Sequence, residues 1–482
     1  MKAKQMFNPY LAATLAILTY IYWPDTAGFW QSPERQQLSQ QDLVRQARSL
    51  RIAPPEINDR QRQLAQLGQR LFFDHRFSAD GSVSCSSCHK PELDFTDGLK
   101  TAAGMGTTDR NTPTLINAYL LEWFFWDGRA HSLETQAKGP IEARLEHGSN
   151  RGQVAQTIAL HYKESYEALF DPISVELEHL LKSPRFHASP NPKAKTNMSQ
   201  RLASYGVATL SDFSLQTEFI QAAADQKMSP YAWFSQTMLH SESPPSDWIA
   251  AYQGLSPNLQ KELDQIFLNF ARAVAAYQRT IYAVNSPFDQ FLAKLGDQKQ
   301  APQGFHSSFG EEQWQGFKVF AESGCINCHN GPLLSDQQFH NIGLPSHAKL
   351  DIGRARGLLL AQTSPVPCEA IEPQDREACM ELRYADLENF EVMGAFKTPT
   401  LRNLAKTKPY MHDGRFDSID QVLDHYEDHD QEPAIGHRSE SIPRFQWSDE
   451  ERQQLKLFLE SLQSEWNILQ VSRQETNKKS AG

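Results

Sequence analysis

Cys325-Ile326-Asn327-Cys328-His329 has a twin at Cys85-Ser86-Ser87-Cys88-His89. Two cysteines three apart, followed at once by a histidine, can take both vinyl groups of a haem as thioethers while the histidine ligates the iron from one side. The competing assignment is zinc, because two CxxC pairs can supply four thiolates to one tetrahedral ion. The immediate histidine in both copies and the 240 residues between them favour haem. The pair reads as a two-haem c-type cytochrome.

A longer internal repeat lies downstream of each motif. Thr112-Pro113-Thr114-Leu115 is followed after 15 positions by Asp127-Gly128-Arg129, and Thr398-Pro399-Thr400-Leu401 after the same 15 by Asp413-Gly414-Arg415. Ser132-Leu133 and Ser418-Ile419 then recur at one offset. Each motif is also approached by an amphipathic helix. Leu64, Leu67, Leu71 and Phe72 line one face before the first, and Trp314, Phe317 and Phe320 before the second. A further helix is signalled by the capping-box pair Ser448 and Glu451, with Leu455, Phe458, Leu459 and Leu462 at helical spacing.

No convincing run of alternating strands occurs, so the expected fold is mainly α. It comprises two cytochrome c-like haem domains related by duplication, at 51–290 and 305–466. A helical insertion at about 172–262 interrupts the first, and residues 467–482 read as a polar tail. The sequence assigns the insertion no function.

The 482 residues, 40% hydrophobic and 10% aromatic, suit globular cores and exclude a disordered chain. A net charge of −11 argues against nucleic acid as a partner. Lys2 and Lys4 precede an apolar run from Leu11 to Tyr22, the order of an export signal. That run is short for a spanning helix, which needs about 20 residues, yet no clean small-x-small cleavage site precedes Trp30. Residues 1–30 are therefore expected to be a signal peptide or an N-terminal membrane anchor, with the protein in the periplasm, soluble or tethered to the inner membrane. Outside the haem motifs, Cys368 and Cys379 can close a small disulfide loop in an oxidising compartment. Two free thiols are the alternative.

The stretches LFFDHRFSADGSVSCSSCH, RNTPTLINA, FWDGRAHSLETQAKGPIEARLEHG, SGCINCHNG, FKTPTLRNLAKTKPYMHDGRF and VLDHYED, in that order, resemble the bacterial di-haem cytochrome c peroxidase and MauG superfamily. The resemblance spans about 51–171 and 263–463. It implies that His89 and His329 are the proximal iron ligands. Gln136, Pro140 and Glu146 match the distal pocket of the N-terminal haem, where a glutamate acts on hydrogen peroxide and a glutamine helps to position it. Cleaving the O–O bond needs a group that takes a proton from one oxygen and gives one to the other, and a buried carboxylate does both. Trp126 matches a tryptophan that relays electrons between the haems. Asn111, Thr407 and Pro409 match an inter-haem calcium site built from a side-chain carbonyl, two backbone carbonyls and waters.

Two departures carry information. Where the conventional peroxidases cap the N-terminal haem with a histidine in a Gly-His-Gly loop, this chain has Gly104-Met105-Gly106, which implies an open distal side. Where they place a distal methionine on the C-terminal haem, the match is Tyr426, as in MauG. Tyr426 also lies 13 residues after Asp413, as Pro140 lies 13 after Asp127. The alternative is a Tyr426 packed in a core, with Met411 or Met393 as ligand; Met411 and His412 otherwise read as pocket or packing residues. The tryptophan that precedes MauG's second motif is absent, and Ser323-Gly324 stands there.

The expected protein is an exported di-haem oxidoreductase that reacts with hydrogen peroxide. It would draw electrons from a small cytochrome or copper protein, or oxidise a residue of a protein substrate. A non-enzymatic di-haem electron carrier is the alternative. Denaturing mass spectrometry of protein matured in a host with haem-attachment machinery should show two haem additions, and zinc recovered without haem would refute the reading.

Overall fold

The computed structural model describes residues 37–182, 251–296, 308–345, 351–362, 376–386, 389–428 and 433–469. The expected export segment, Cys368 and most of the insertion lie outside the described residues.

α1 (Gln40–Ser49) precedes α2 (Asp59–Phe72), which starts at a capping box between Asn58 and Gln61. That reciprocal pair satisfies two N–H groups that would otherwise lack partners at a helix start. Leu67, Leu71 and Phe72 bury on one face, while Leu64 is only half-buried. α3 (Leu133–Glu142), α4 (Arg151–His161) and α5 (Val175–Leu181) follow, and α6 (Pro257–Gln278) runs back across α2. The crossing point is Gly68, where a β-carbon would run into the carbonyl oxygen of Ala273. Around it Leu67, Leu71, Phe72, Phe267, Phe270 and Val274 form the first core.

The second half repeats this plan. After α7 (Pro287–Leu295), α8 (Glu311–Glu322) leads into the second haem motif. A helical hairpin of α9 (Arg354–Gln362) and α10 (Arg376–Tyr384) follows, then α11 (Ile419–Glu427) and α12 (Asp449–Glu460). α8 crosses α12 at Gly316, where a β-carbon would strike the Gln454 carbonyl oxygen. Trp314, Phe317 and Phe320 are buried, the Ser448–Glu451 capping box is present, and Leu455, Phe458, Leu459 and Leu462 are all buried.

The described strands are two short antiparallel pairs. β1 (Ile281–Tyr282) pairs with β4 (Asn467–Ile468), and β2 (Phe339–His340) with β3 (Phe396–Lys397). The fold is thus mainly helical, but the polar tail expected from residue 467 begins as a strand. Two residues are too few to show an alternating pattern, so this pairing has no local signature.

The domain limits also shift. Phe288, Phe291 and Leu292 of α7 lie in the second core with Leu43 and Val44 of α1, whereas Ala283 belongs to the first. The chain therefore crosses between domains near Ser286, a few residues before the expected limit, because Ser286 and Asp289 form the capping box that starts α7. At the start of the insertion, Leu177 and Leu181 of α5 are part of the first core. The α9–α10 hairpin was not foreseen, since Leu358, Leu359 and Leu360 run consecutively and not at helical spacing. Gly68→Ala and Gly316→Ala should each destabilise the protein by about 1–3 kcal/mol through overpacking. Urea unfolding checks this, and an unchanged midpoint would show that the crossings can relax.

Candidate di-haem site

Each CxxCH forms one helical turn, Cys85–Cys88 and Cys325–Cys328, and none of the four cysteines is in a disulfide. Cys85 packs against the first core and Cys325 against the second. Separate cores do not suit a zinc ion shared by both pairs. His89 Nδ1 donates to the Phe95 carbonyl at 3.1 Å, and His329 Nδ1 to the Leu334 carbonyl at 2.9 Å. A carbonyl can only accept, so the proton sits on Nδ1 and the lone pair on Nε2, the tautomer that ligates a metal. Burial lowers both imidazoles below the usual histidine value, which keeps the rings neutral.

The repeated TPTL motif explains how these carbonyls are held. Thr114 Oγ1 donates to Asp94 O at 2.6 Å and Thr400 Oγ1 to Leu333 O at 2.7 Å, each one residue before the histidine's acceptor. Phe95 and Leu334 adopt φ of 58° and 49°, a conformation that bulky residues keep only when their surroundings enforce it. Farther along, Asn117 pairs with both backbone groups of Ala283 at 2.9 Å. Asn403 does the same with Ser464, at 2.7 and 3.4 Å. Each repeat is therefore a strap that ties the proximal-histidine loop to the chain leaving the crossed helices.

α3 carries Gln136 and Pro140, and Gln136 Oε1 accepts from Gln278 Nε2 at 3.4 Å. The chain then turns so that half-buried Glu146 faces the first motif. Burial first, and the Glu146 charge next, push the Cys88 thiol up to about 12. Cys85 also rises to about 12, through burial, then Cys88, with a smaller contribution from Glu146. The Gly104-Met105-Gly106 loop lies on this turn: Met105 N donates to Glu146 O at 2.8 Å and Gly106 N to Leu145 O at 3.0 Å. A β-carbon on Gly104 would collide with the Glu146 backbone. The Ser82 hydroxyl donates to Asp80 Oδ1 at 2.5 Å and lies 3.7 Å from the Met105 sulfur.

At the second motif, burial first and then Cys325 and Cys328 push the Tyr426 phenol above its ordinary value, while Arg438 opposes them. A phenol so placed ionises only against a close cation, and a haem iron would supply one. Met393 packs with Ile352, Ala355 and Ile435 in a separate cluster. Met411 takes φ 73° in the turn closed by the Tyr410–Phe416 bridge, the position that Phe125 (φ 63°) holds in the first repeat.

Trp126 and His412 occupy equivalent positions of the two repeats, and they meet at the interface. Lys397 N donates to Trp126 O at 2.9 Å, and reciprocally Asn111 N donates to His412 O at 2.7 Å. The Trp126 Nε1 donates to Asn111 O at 2.9 Å. The His412 ring stacks on Phe396 with centroids 3.7 Å apart. Around them Arg110 bonds Asp127 at 2.5 Å and Asp351 at 2.8 Å, and Arg356 bonds Asp109 at 2.7 Å. Burial alone would raise the Asp127 carboxyl, but Arg110 and then Arg129 outweigh it and hold it at about 2.

The remaining expectations stand as follows. Asn111 is buried and its Nδ2 donates to Leu99 O at 2.8 Å; Thr407 and Pro409 lie in the segment that leads to His412. Cys379 is disulfide-bonded, and its expected partner lies outside the described residues. Among the described residues no helix is long and apolar enough to cross a membrane. Cys328, Asp336 and His340 bring ligand atoms within 4.8 Å of one another, but Cys328 belongs to the second motif. Sequence reasoning missed His147 and Arg438. His147 is buried beside Glu146 with both ring nitrogens unpartnered, and burial lowers it to about 4. Lone polar residues in a loop give no periodic signal that would mark them.

Two duplicated helical domains, each presenting a CxxCH and a neutral histidine, fit the class of c-type haem proteins. The di-haem cytochrome c peroxidase family model matches residues 62–225. The methylamine utilization protein MauG of Methylorubrum extorquens is 30% identical over 435 residues, covering 89% of this chain and 87% of the relative. Cytochrome-c peroxidase IdrP2 of Denitromonas iodatirespirans is 27% identical over 419 residues, covering 86% and 85%. MauG of Methylophilus methylotrophus is 27% identical over 418 residues, covering 85% of each chain. The chain belongs to the di-haem cytochrome c peroxidase and MauG superfamily, whose members are haem-dependent redox enzymes.

Proposed function

We propose that this protein is an exported, periplasmic enzyme that reduces hydrogen peroxide at its N-terminal haem while its C-terminal haem stores or relays electrons. Haem c attached through Cys85, Cys88, Cys325 and Cys328, with His89 and His329 on the irons, would supply the redox chemistry. The observation that carries the reading is that one loop joins Glu146 to the first motif: Met105 N donates to Glu146 O at 2.8 Å, and Cys88 Sγ lies 3.7 Å from Ala103 O. In this role Glu146 takes a proton from one peroxide oxygen and returns it to the leaving oxygen. Gln136 orients the peroxide with its amide. Pro140 has no ligating group and leaves the distal side open.

Trp126, hydrogen-bonded across the interface, serves as the relay between the two sites. Tyr426 acts as the distal ligand at the second, where a phenolate, a hard anionic donor, favours oxidised iron more than a thioether would. A calcium ion between the halves would take the Asn111 side-chain carbonyl and the Thr407 and Pro409 backbone carbonyls. The electron source is a small cytochrome or copper protein, or else a residue of a protein substrate; Tyr426 favours the second, MauG-like branch.

Stopped-flow mixing of the diferric protein with peroxide tests the reading. A fast spectral change at the N-terminal haem is expected, whereas inertness with two six-coordinate irons would make the protein an electron carrier. Glu146→Gln should leave both haem spectra intact while slowing the peroxide step about 10²- to 10⁴-fold, the usual worth of a positioned acid/base. An unchanged rate would assign the proton transfer elsewhere. Tyr426→Phe should abolish the low-spin histidine–tyrosinate signal in electron paramagnetic resonance; a spectrum like that of the wild type would return the ligand to Met411 or Met393.

A further inference from the structure

The segment from Ser441 to Trp447 lies along the second haem motif. Ser441 Oγ is 3.9 Å from Cys328 Sγ, and Pro443 closes on Gly324 so tightly that a β-carbon there would touch it. Trp447 Nε1 donates to Ser323 Oγ at 2.9 Å. Only Gly324 separates Ser323 from Cys325, so one hydrogen bond and a short covalent path join the indole to a haem-anchoring cysteine. The Phe445 ring lies 4.5 Å from that of Trp447, and both belong to the core that contains Ile326 of the motif.

The Trp447 residue is buried, but exposed residues flank it on both sides. Trp447 is 9% exposed, and its neighbours Gln446 and Ser448 are exposed. Its backbone N–H donates to Glu427 Oε1 at 2.8 Å, which ties it to the end of α11, next to Tyr426. Trp126 stands at the contact between the two halves, whereas Trp447 packs beside the second motif in a segment that carries exposed residues.

We propose that Trp447 is the relay through which electrons enter the second haem from an external donor. The inference rests on the function proposed above, in which peroxide leaves the C-terminal haem an electron short. The Trp447 indole would give one electron to the haem held at Cys325, Cys328 and His329. The indole keeps its Nε1 proton, because the Ser323 hydroxyl is a weak base that accepts the hydrogen bond without removing the proton. One electron from the donor restores the indole. Peroxide consumes two electrons and two protons to give two waters, so two passes through Trp447 complete a turnover.

Trp447→Phe and Trp447→Tyr in the full-length di-haem protein test this, with an unchanged electron paramagnetic resonance signal of the second haem confirming an intact site. In one arm, peroxide-oxidised protein is mixed with a reduced small c-type cytochrome. Oxidation of the cytochrome should slow about tenfold or more in Trp447→Phe and recover largely in Trp447→Tyr, whose ring can also be oxidised. In the other, peroxide-free arm, a photogenerated ruthenium(III) tris-bipyridine ion withdraws electrons from protein whose second haem has been reduced, and loss of the ferrous absorbance is timed. This loss should slow by a similar factor in Trp447→Phe. If wild-type protein is inert to peroxide, the proposed peroxidase function fails and the photochemical arm still decides the role of Trp447. Equal photochemical rates for wild type and Trp447→Phe would overturn the relay and leave Trp447 a packing residue.

Discussion

Two backbone hydrogen bonds, Lys397 N to Trp126 O and Asn111 N to His412 O, hold the halves of this chain together in a reciprocal contact. Such a contact is what an isologous dimer interface would make, here closed within one chain by the duplicated sequence. The residues on each side belong to the same repeat positions, so neither bond can form without bringing the other into register. The Asp-Gly-Arg turns complete the fit. Gly128 packs where a side chain would strike Phe339 and Arg354 of the second half, and Gly414 where one would strike Lys100 of the first. Around them sit buried Arg110, Asp127 and Arg356 and partly buried Asp351, ions that would be costly to leave unpaired. The position of Trp126 at the contact between the halves follows from this interface.

Within that frame the repeats have diverged where chemistry differs. The strap residues Thr114 and Thr400, and Asn117 and Asn403, keep the same bonds in both halves. Between them, Ile116 lies in the first core, while its counterpart Arg402 bonds Asp289, Pro332 O and Leu50 O. Arg402 thereby fastens the end of α1 and the start of α7 to the second half. Trp126 is matched by His412, and Pro140 by Tyr426. Under the proposed function, the first half keeps an open pocket for peroxide and the second closes its iron with a phenolate.

The paired CxxCH motifs, the mainly helical class and the duplication were legible because each signal occurs twice at equal spacing, which removes most of the ambiguity of a short motif. The helices around Leu67 and Leu71, and around Leu455 and Phe458, were legible because burial of one face imposes a local period. Glu146 and Tyr426 were reached through the resemblance and the repeat; a lone acid or phenol gives no pattern of its own.

The tertiary structure alone decided which segments share a core and what stands next to each motif. Helix α1 docks on the second half, the strand at Asn467–Ile468 pairs with Ile281–Tyr282, and the α9–α10 hairpin covers the Asp127 turn. Ser323 is 124 residues from Trp447 and Glu146 is 58 from Cys88, yet each pair is brought together. Periodicity and capping act within a few turns of chain and therefore leave a local trace in sequence. Contacts across such separations depend on how whole helices cross, at Gly68 and Gly316, and no short stretch of residues records that.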